Sequence, residues 1–205
     1  DSPVGEVMKA AIRPRLVKAG LWDDLQVAIR PLDETCVVWG SDDVLTTSGL
    51  TDPYGPGWLL DRRAFERVLV DRCHDSKVAV VSAQATDVFR VGGGWRVRLD
   101  SGASVGALYL VDATGRSAWV TRRFGRRDRL DDLVASTTAV ESATTPPRMC
   151  IVSTPTGWHY SLPTFDGRGR VEVTLGDRST LGESAGRRRS ATTALSTWSD
   201  DQLVP

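Results

Sequence analysis

The residues best suited to chemistry form a short run directly after an apolar segment, 108–111. That segment is typical of a buried strand, and small residues after it leave backbone N–H groups free at the carboxyl end of the strand. In open α/β sheets nucleotide phosphates bind there, because small side chains allow close approach to the backbone. The alternative is a structural strand-to-helix turn that the aspartate caps. The residues of this run are Asp112, Ala113, Thr114, Gly115 and Arg116.

Arg62 is a second candidate for ligand binding. A helix is predicted from Arg62 to about His74, and Asp61 is the candidate for its N-cap. An arginine at a helix start can direct its guanidinium at an anionic group. The alternative is a surface arginine near Phe65, which would anchor the helix in the core.

A third candidate is the aromatic segment that runs from Trp158 through His159 and Tyr160 to Pro163. Alternation along a strand predicts Trp158 and Tyr160 on one face, and His159 and Ser161 on the other. Aromatic side chains on one face could form the wall of a substrate tunnel, although ordinary sheet packing explains them equally well. His159 is a candidate for proton transfer, with a structural histidine as the more frequent alternative. No side chain is identified as a catalytic acid or base.

The elements that would position these residues change in character along the chain. Segment 77–83 is predicted to be a buried strand, and the runs 85–91 and 95–99 are predicted to form a hairpin around Gly92 and Gly93. Segment 35–39 is predicted to be a short strand.

After Gly125 the sequence favours short strands separated by Pro, Gly and Thr turns, followed by a helix at 190–198. Helices with a parallel-type strand therefore come first, and an antiparallel sheet follows. This order predicts an α/β (α+β) fold. The expected later strands are 133–140, 149–153, 158–162 and 170–175.

Composition excludes several classes of function. The 205 residues are 40% hydrophobic and 25% charged, and their formal net charge is zero, so nothing favours nucleic acid or an anionic membrane. No apolar run reaches the roughly 18 residues of a membrane span, so a soluble protein is expected.

The three cysteines are widely spaced without a C-x-x-C pair, and the two histidines lack carboxylates at ligand spacing. These features predict a cytoplasmic protein without a metal site or a disulfide scaffold. The excess of arginine over lysine suggests a bacterial genome rich in G and C.

Taken together, the motifs resemble those of FAD-dependent oxidoreductases of the flavin monooxygenase and tryptophan-halogenase-like group. Members of this group carry a Gly-Glu pair, Asp-Arg-x-x-Phe, Val-Asp-Ala-Thr-Gly-Arg and an aromatic segment that ends in proline. The corresponding residues here are Gly5 and Glu6, 61–65, 111–116 and 158–163.

The resemblance implies FAD as the cofactor of the intact enzyme. It places Arg62 and the run 112–116 against FAD, and it places Trp158, His159, Tyr160 and Pro163 in the substrate wall. Reduced flavin would be supplied by NAD(P)H or by a flavin reductase.

The resemblance also predicts that the chain is an internal fragment. It lacks the G-x-G-x-x-G that seats the FAD pyrophosphate. It also lacks a late Gly-Asp motif of the kind that contacts the flavin ribityl chain near the end of the FAD domain in this group. Residues 1–132 would be a partial Rossmann-like FAD-binding domain, with one substrate-sheet strand near 35–40. Residues 133–205 would be a partial substrate-binding antiparallel sheet.

The expected activity is monooxygenase-type oxidation of an organic or peptide-borne aromatic substrate. Flavin-dependent halogenation is an alternative. In such halogenases a lysine precedes the tryptophan that aligns with Trp39, and the matching region, 29–32, has no lysine. A non-catalytic module that binds a substrate or partner, and has lost FAD binding, is the second alternative.

Overall fold

A computed structural model describes residues 5–141 and 147–179, which fall into two units. The first unit contains 1–72 and 131–205, and the second contains 73–130. Helices and several sheets are both present, which confirms the predicted α/β (α+β) class. Among the helices described, none is long and apolar enough to cross a membrane. The helix predicted at 190–198 lies outside the described residues, and the division into an FAD-binding and a substrate domain stays a prediction.

The elements are named here in chain order. The helices are α1 (Arg13–Lys18), α2 (Arg62–Asp75) and α3 (Thr121–Phe124), with short 3-10 turns at Ala10–Ile12, Asp24–Ala28 and Gly115–Ser117. The strands of the first unit are β1 (Val7–Met8), β2 (Ile29–Leu32), β3 (Glu34–Val38), β4 (Leu45–Ser48), β5 (Gly57–Leu60), β9 (Leu133–Glu141), β10 (Arg148–Thr154), β11 (Gly157–Pro163) and β12 (Gly169–Asp177). The strands of the second unit are β6 (Ala85–Val91), β7 (Gly94–Leu99) and β8 (Ser104–Ala107).

A six-stranded sheet in the order β4-β3-β10-β11-β12-β9 dominates the first unit. β3 pairs with β10 in parallel, and the remaining neighbours are antiparallel. All four strands predicted after Gly125 are present. The strand expected near 35–40 is β3, and it lies in this same sheet.

A smaller sheet, β1-β5-β2, packs against one face of the large sheet. Leu32 and Leu59 of the small sheet form a buried cluster with Leu162 of β11. A second cluster contains Trp58, whose ring meets that of Trp22 edge-on at 4.9 Å between centroids. Removal of these apolar side chains from water holds the two sheets together.

Helix α2 begins where the sequence predicted. The Asp61 Oδ1 atom accepts a hydrogen bond of 3.0 Å from the Ala64 backbone N–H. This contact satisfies one of the N–H groups that have no partner within the first helical turn. The N-cap prediction for Asp61 is therefore confirmed.

The second unit contains the sheet β6-β7-β8. Gly92 and Gly93, with φ of 55° and 84°, form the tight turn between β6 and β7, which confirms the predicted hairpin. Two positive φ values in succession are the geometry of a type I′ turn, which glycine adopts without strain. Trp95 of this hairpin packs edge-on against Phe124, with centroids 5.1 Å apart.

Two predicted buried strands are wrong. Segments 77–83 and 108–111 form no strand, and their side chains are exposed, with Val81 at 58% and Tyr109 at 88%. In the part of the chain that the structure describes, no strand hydrogen-bonds to either segment. Apolar composition predicts a central strand, but a strand also needs neighbours for its backbone N–H and C=O groups.

Candidate functional site

The Asp112 carboxylate organises the predicted cofactor loop in the second unit. Its Oδ1 atom accepts hydrogen bonds from Thr114 Oγ1 at 2.6 Å and from the Thr114 N–H at 3.2 Å. Its Oδ2 atom accepts from both the N–H and the Oγ1 of Thr121, each at 2.8 Å. These bonds, the Thr114 hydroxyl first, hold the pKa of Asp112 well below its usual range. The Asp112 carboxylate thus stabilises the conformation of its own loop through four hydrogen bonds.

The remainder of this loop faces solvent. Thr114 Oγ1 accepts a 2.9 Å hydrogen bond from the Trp119 N–H, and Gly115 takes a left-handed φ of 60°. Ala113, Gly115 and Arg116 are exposed. The loop therefore presents small side chains and one guanidinium on a backbone held by Asp112, and contact with a cofactor stays a prediction for these residues.

Arg62 lies at the centre of an ion network in the first unit. Its Nη1 atom donates to both Glu6 carboxylate oxygens, at 3.0 and 3.1 Å, and its Nε atom donates to Glu66 Oε1 at 2.6 Å. The hydrogen bonds to Glu66 and then to Glu6 raise the pKa of Arg62 above its usual value. The side chain is 59% exposed. Exposed pairs add little stability, so the main effect of the network is to orient the guanidinium.

Two cavities meet at this network. One, which we call the sheet cavity, has a volume of about 890 Å³ and lies over the large sheet. The other, which we call the helix cavity, has a volume of about 990 Å³ and lies beside the start of α2. Both cavities are lined by Gly5, Glu6, Leu60 and Arg62.

The aromatic segment lies on β11 and contributes to both cavities. Tyr160 lines the sheet cavity together with Ile151, its direct neighbour across the ladder. Burial, and secondarily the negative Glu6, raises the pKa of Tyr160. Pro163 lines the helix cavity. Trp158 instead lies beside Trp39, with centroids 6.4 Å apart.

His159 lies on the opposite face of β11, as alternation predicted. Its Nδ1 atom is 2.9 Å from Thr174 Oγ1, while its buried Nε2 atom has no hydrogen-bond partner. Burial lowers the pKa of His159, which favours the neutral ring at neutral pH. The structure thus brings Arg62, Tyr160 and Pro163 together around the cavities. His159 lies on the face of β11 that points away from the sheet cavity.

Sequence reasoning did not identify two charged residues at these cavities. Glu6 belongs to the Gly-Glu pair described above, but its contact with Arg62 was not predicted. The i, i+4 spacing of Arg62 and Glu66 was a visible sign of an ion pair within the helix. Lys9 lines the sheet cavity, and it is the only lysine among the described lining residues. Its position depends on the pairing of β1 with β5, which are distant in sequence. Among the described residues no group of three or more His, Cys, Asp or Glu side chains could hold a metal ion.

The fold is that of FAD-dependent monooxygenases and halogenases, which confirms the resemblance at the level of structure. One similar structure is the peptidyl tryptophan dihydroxylase QhpG, with a TM-score of 0.70, 24% identity and 96% of this chain covered. Another is the myxobacterial chondrochloren halogenase CndH, with a TM-score of 0.71, 20% identity and 97% covered. A third is pqsL, a probable FAD-dependent monooxygenase from Pseudomonas aeruginosa, with a TM-score of 0.65, 19% identity and 89% covered.

The chain spans only about half of each of these proteins. It covers 44% of QhpG, 49% of CndH and 53% of pqsL. No family model matches the sequence, and no curated protein matches it significantly.

Proposed function

We propose that this chain is part of an FAD-dependent oxidoreductase of the monooxygenase type, acting on an organic or peptide-borne aromatic substrate. The observation that carries the proposal is the meeting of two large cavities at the oriented Arg62 guanidinium, in a fold that is shared with flavoenzymes. A flavoenzyme must hold a cofactor and a substrate side by side, and two adjoining cavities supply that arrangement.

The residues of the first unit fit one part of FAD. The helix cavity is lined by Arg62 and Arg63 and also by four carboxylate side chains, those of Glu6, Asp61, Glu66 and Asp166. The two guanidinium groups are the ones that could donate hydrogen bonds to an anionic phosphate. Gly5 lies in the wall between the cavities, where an added Cβ would come within 2.7 Å of Leu162 Cδ2. Glycine at this position therefore makes room for the Leu162 side chain to pack against the backbone.

The proposed roles follow from these positions. Glu6 and Glu66 hold Arg62 so that its guanidinium can bind an anionic group of the cofactor. Met149 and Ile151 present apolar surface in the sheet cavity, and Tyr160 adds a ring with a hydroxyl group, which together suit an aromatic substrate. Bound FAD would supply the oxidising chemistry with O₂, while the cavity walls position the substrate and exclude water.

The remaining features of the proposal concern the context of the enzyme. Electrons would come from NAD(P)H or from a flavin reductase. The three free cysteines support a reducing, cytoplasmic location, and the arginine-rich composition supports a bacterial source. We propose no nucleic-acid or membrane partner, since the net charge is zero.

Halogenation is the second candidate function, and one observation favours it. Lys9 lines the sheet cavity, although the region where halogenases of this group carry their lysine has none. A lysine ammonium in the cavity wall could guide a hypohalous acid to the substrate. Replacing Lys9 by methionine in the FAD-loaded protein should abolish halogenation and leave hydroxylation measurable, if both occur.

Titration of the purified chain with FAD, followed by quenching of flavin fluorescence, tests the proposal. Arg62→Gln should weaken binding by about 10- to 150-fold, because a hydrogen bond to a charged group contributes about 1.5–3 kcal/mol. Arg67→Gln is the matched control, since Arg67 is exposed on the same helix and lines neither cavity.

Binding only by a longer chain that includes a G-x-G-x-x-G would support the fragment interpretation. Absence of binding in both chains would overturn the proposal and favour the non-catalytic module.

A further inference from the structure

Two of the three cysteines face each other inside the large sheet. Cys36 of β3 lies directly opposite Cys150 of β10 in the parallel ladder, although the two are far apart in sequence. Neighbours in register project from the same face of a sheet. Adjacent strands are about 4.8 Å apart, which lies inside the range of about 4.4–6.8 Å between Cα atoms of a disulfide.

The surroundings of the two thiols differ. Cys36 is 4% exposed, and its Sγ atom is 3.7 Å from Thr46 Oγ1. Cys150 is only partly buried, and Cys36 is its direct neighbour across the ladder. Burial, and then the neighbouring Cys36, raises the pKa of Cys150, while Arg170 and Arg148 act in the opposite direction. Cys150 is therefore the thiol that a small reagent reaches first.

We propose that Cys36 and Cys150 are a site of reversible oxidation, at which a peroxide converts the two thiols into an intrachain disulfide. The Cys150 sulfur attacks hydrogen peroxide, breaks the O–O bond and becomes a sulfenic acid, with release of one water. The Cys36 sulfur then displaces the second water as the S–S bond forms. Two thiols and one peroxide thus give one disulfide and two waters, so the thiols lose two electrons and the peroxide gains them.

The position of this pair connects its redox state to the sheet cavity. Thr35 precedes Cys36, and Met149 and Ile151 flank Cys150; these three residues line the cavity on the other face of the same strands. A disulfide would therefore constrain the spacing of β3 and β10 directly behind the cavity wall. Transient disulfides that act as sensors are the usual kind in a reducing compartment.

Counting free thiols after oxidation tests the proposal, and Cys73 serves as an internal control. The reduced chain, unfolded and alkylated, should carry three adducts by mass spectrometry, one for each cysteine. After treatment of the folded chain with hydrogen peroxide, it should carry one adduct, on Cys73, and its mass should fall by two hydrogen atoms. A protease digest should contain a peptide pair joined through Cys36 and Cys150, and dithiothreitol should restore three adducts.

Two controls make the outcome decisive. Oxidation of the unfolded chain should give mixed pairings that include Cys73, because only the fold aligns Cys36 with Cys150. Cys36→Ser removes the thiol that resolves the sulfenic acid, so oxidation of the folded variant should add oxygen to Cys150, leave one adduct on Cys73 and form no intrachain cross-link. Three adducts after oxidation of the native chain, added oxygen without a cross-link, or a disulfide that includes Cys73 would each overturn the proposal.

Discussion

Replacing Gly5 by alanine probes the wall that separates the two cavities. The added Cβ would lie 2.7 Å from Cδ2 and 2.9 Å from Cγ of Leu162, closer than real carbon atoms pack. Leu162 is 1% exposed and packs against Leu32 and Leu59, so it cannot retreat without moving both neighbours. Such overpacking costs about 1–3 kcal/mol. The substitution also reduces the freedom of the unfolded chain, which offsets about 0.4–1 kcal/mol of this cost. The net loss is then about 1.3 kcal/mol at the middle of the two ranges.

A double-mutant cycle identifies the origin of this loss. Leu162→Ala alone should lower the free energy of unfolding by about 2–5 kcal/mol, because it leaves a cavity in the core. In the double variant the methyl group of alanine at position 5 occupies part of that space. The double variant should therefore be more stable than the sum of the single losses predicts, by about 0.5–3 kcal/mol.

Urea unfolding followed by tryptophan fluorescence measures all three variants. Gly106→Ala is the control substitution, because the nearest heavy atom to its added Cβ is the Trp95 carbonyl oxygen at 3.9 Å. Its free energy of unfolding should not fall and should rise by up to about 1 kcal/mol, because the unfolded chain loses freedom and no clash opposes the gain. The reasoning is refuted if Gly5→Ala is as stable as the native chain, or if the losses at Gly5 and Leu162 simply add.

Three further substitutions have defined outcomes. Asp112→Ala removes the acceptor of four hydrogen bonds, so amide hydrogen exchange at Thr114 and Thr121 should accelerate. Unchanged exchange rates would show that Asp112 does not stabilise this loop. Burial lowers the pKa of His159 from 6.5, so the unfolded chain takes up the proton first. Stability should be full above about pH 6.5 and fall as the pH drops below that value, and His159→Gln should flatten this fall; parallel stability curves would contradict it. Asp61→Ala should cost about 1 kcal/mol in urea unfolding, since it removes the N-cap of α2, and an unchanged midpoint would contradict that role.

Local sequence signals predicted those parts of the fold that depend on local physics. Gly92 and Gly93 favour a tight turn by their own backbone preferences, and Asp61 caps α2 through a residue three positions away. The buried strands predicted at 77–83 and 108–111 are absent because strand formation is not a local property. The two segments have the apolar composition of a buried strand, but a strand also needs hydrogen-bonding partners elsewhere in the chain.

In the candidate site, too, the sequence predicted what depends on neighbouring residues and missed what depends on long-range pairing. Alternation along β11 predicted that Tyr160 and His159 face opposite ways, because that depends only on neighbouring residues. The contact of Glu6 with Arg62 and the entry of Lys9 into the sheet cavity required the pairing of β1 with β5. Such long-range pairing leaves no periodic mark in the sequence, so these two residues had no assigned role before the structure was known.

The register of β11 determines which side chains reach the cavity. A slip by one residue would exchange the faces, placing His159 over the sheet cavity and Tyr160 behind it. One close backbone approach opposes that slip, because a Cβ at Gly157 would collide with the Leu175 carbonyl oxygen of β12. Only glycine fits at this point, so a slip that put another residue there would bring its Cβ against the neighbouring strand. The chemistry of the cavity wall thus depends on a glycine that lines neither cavity.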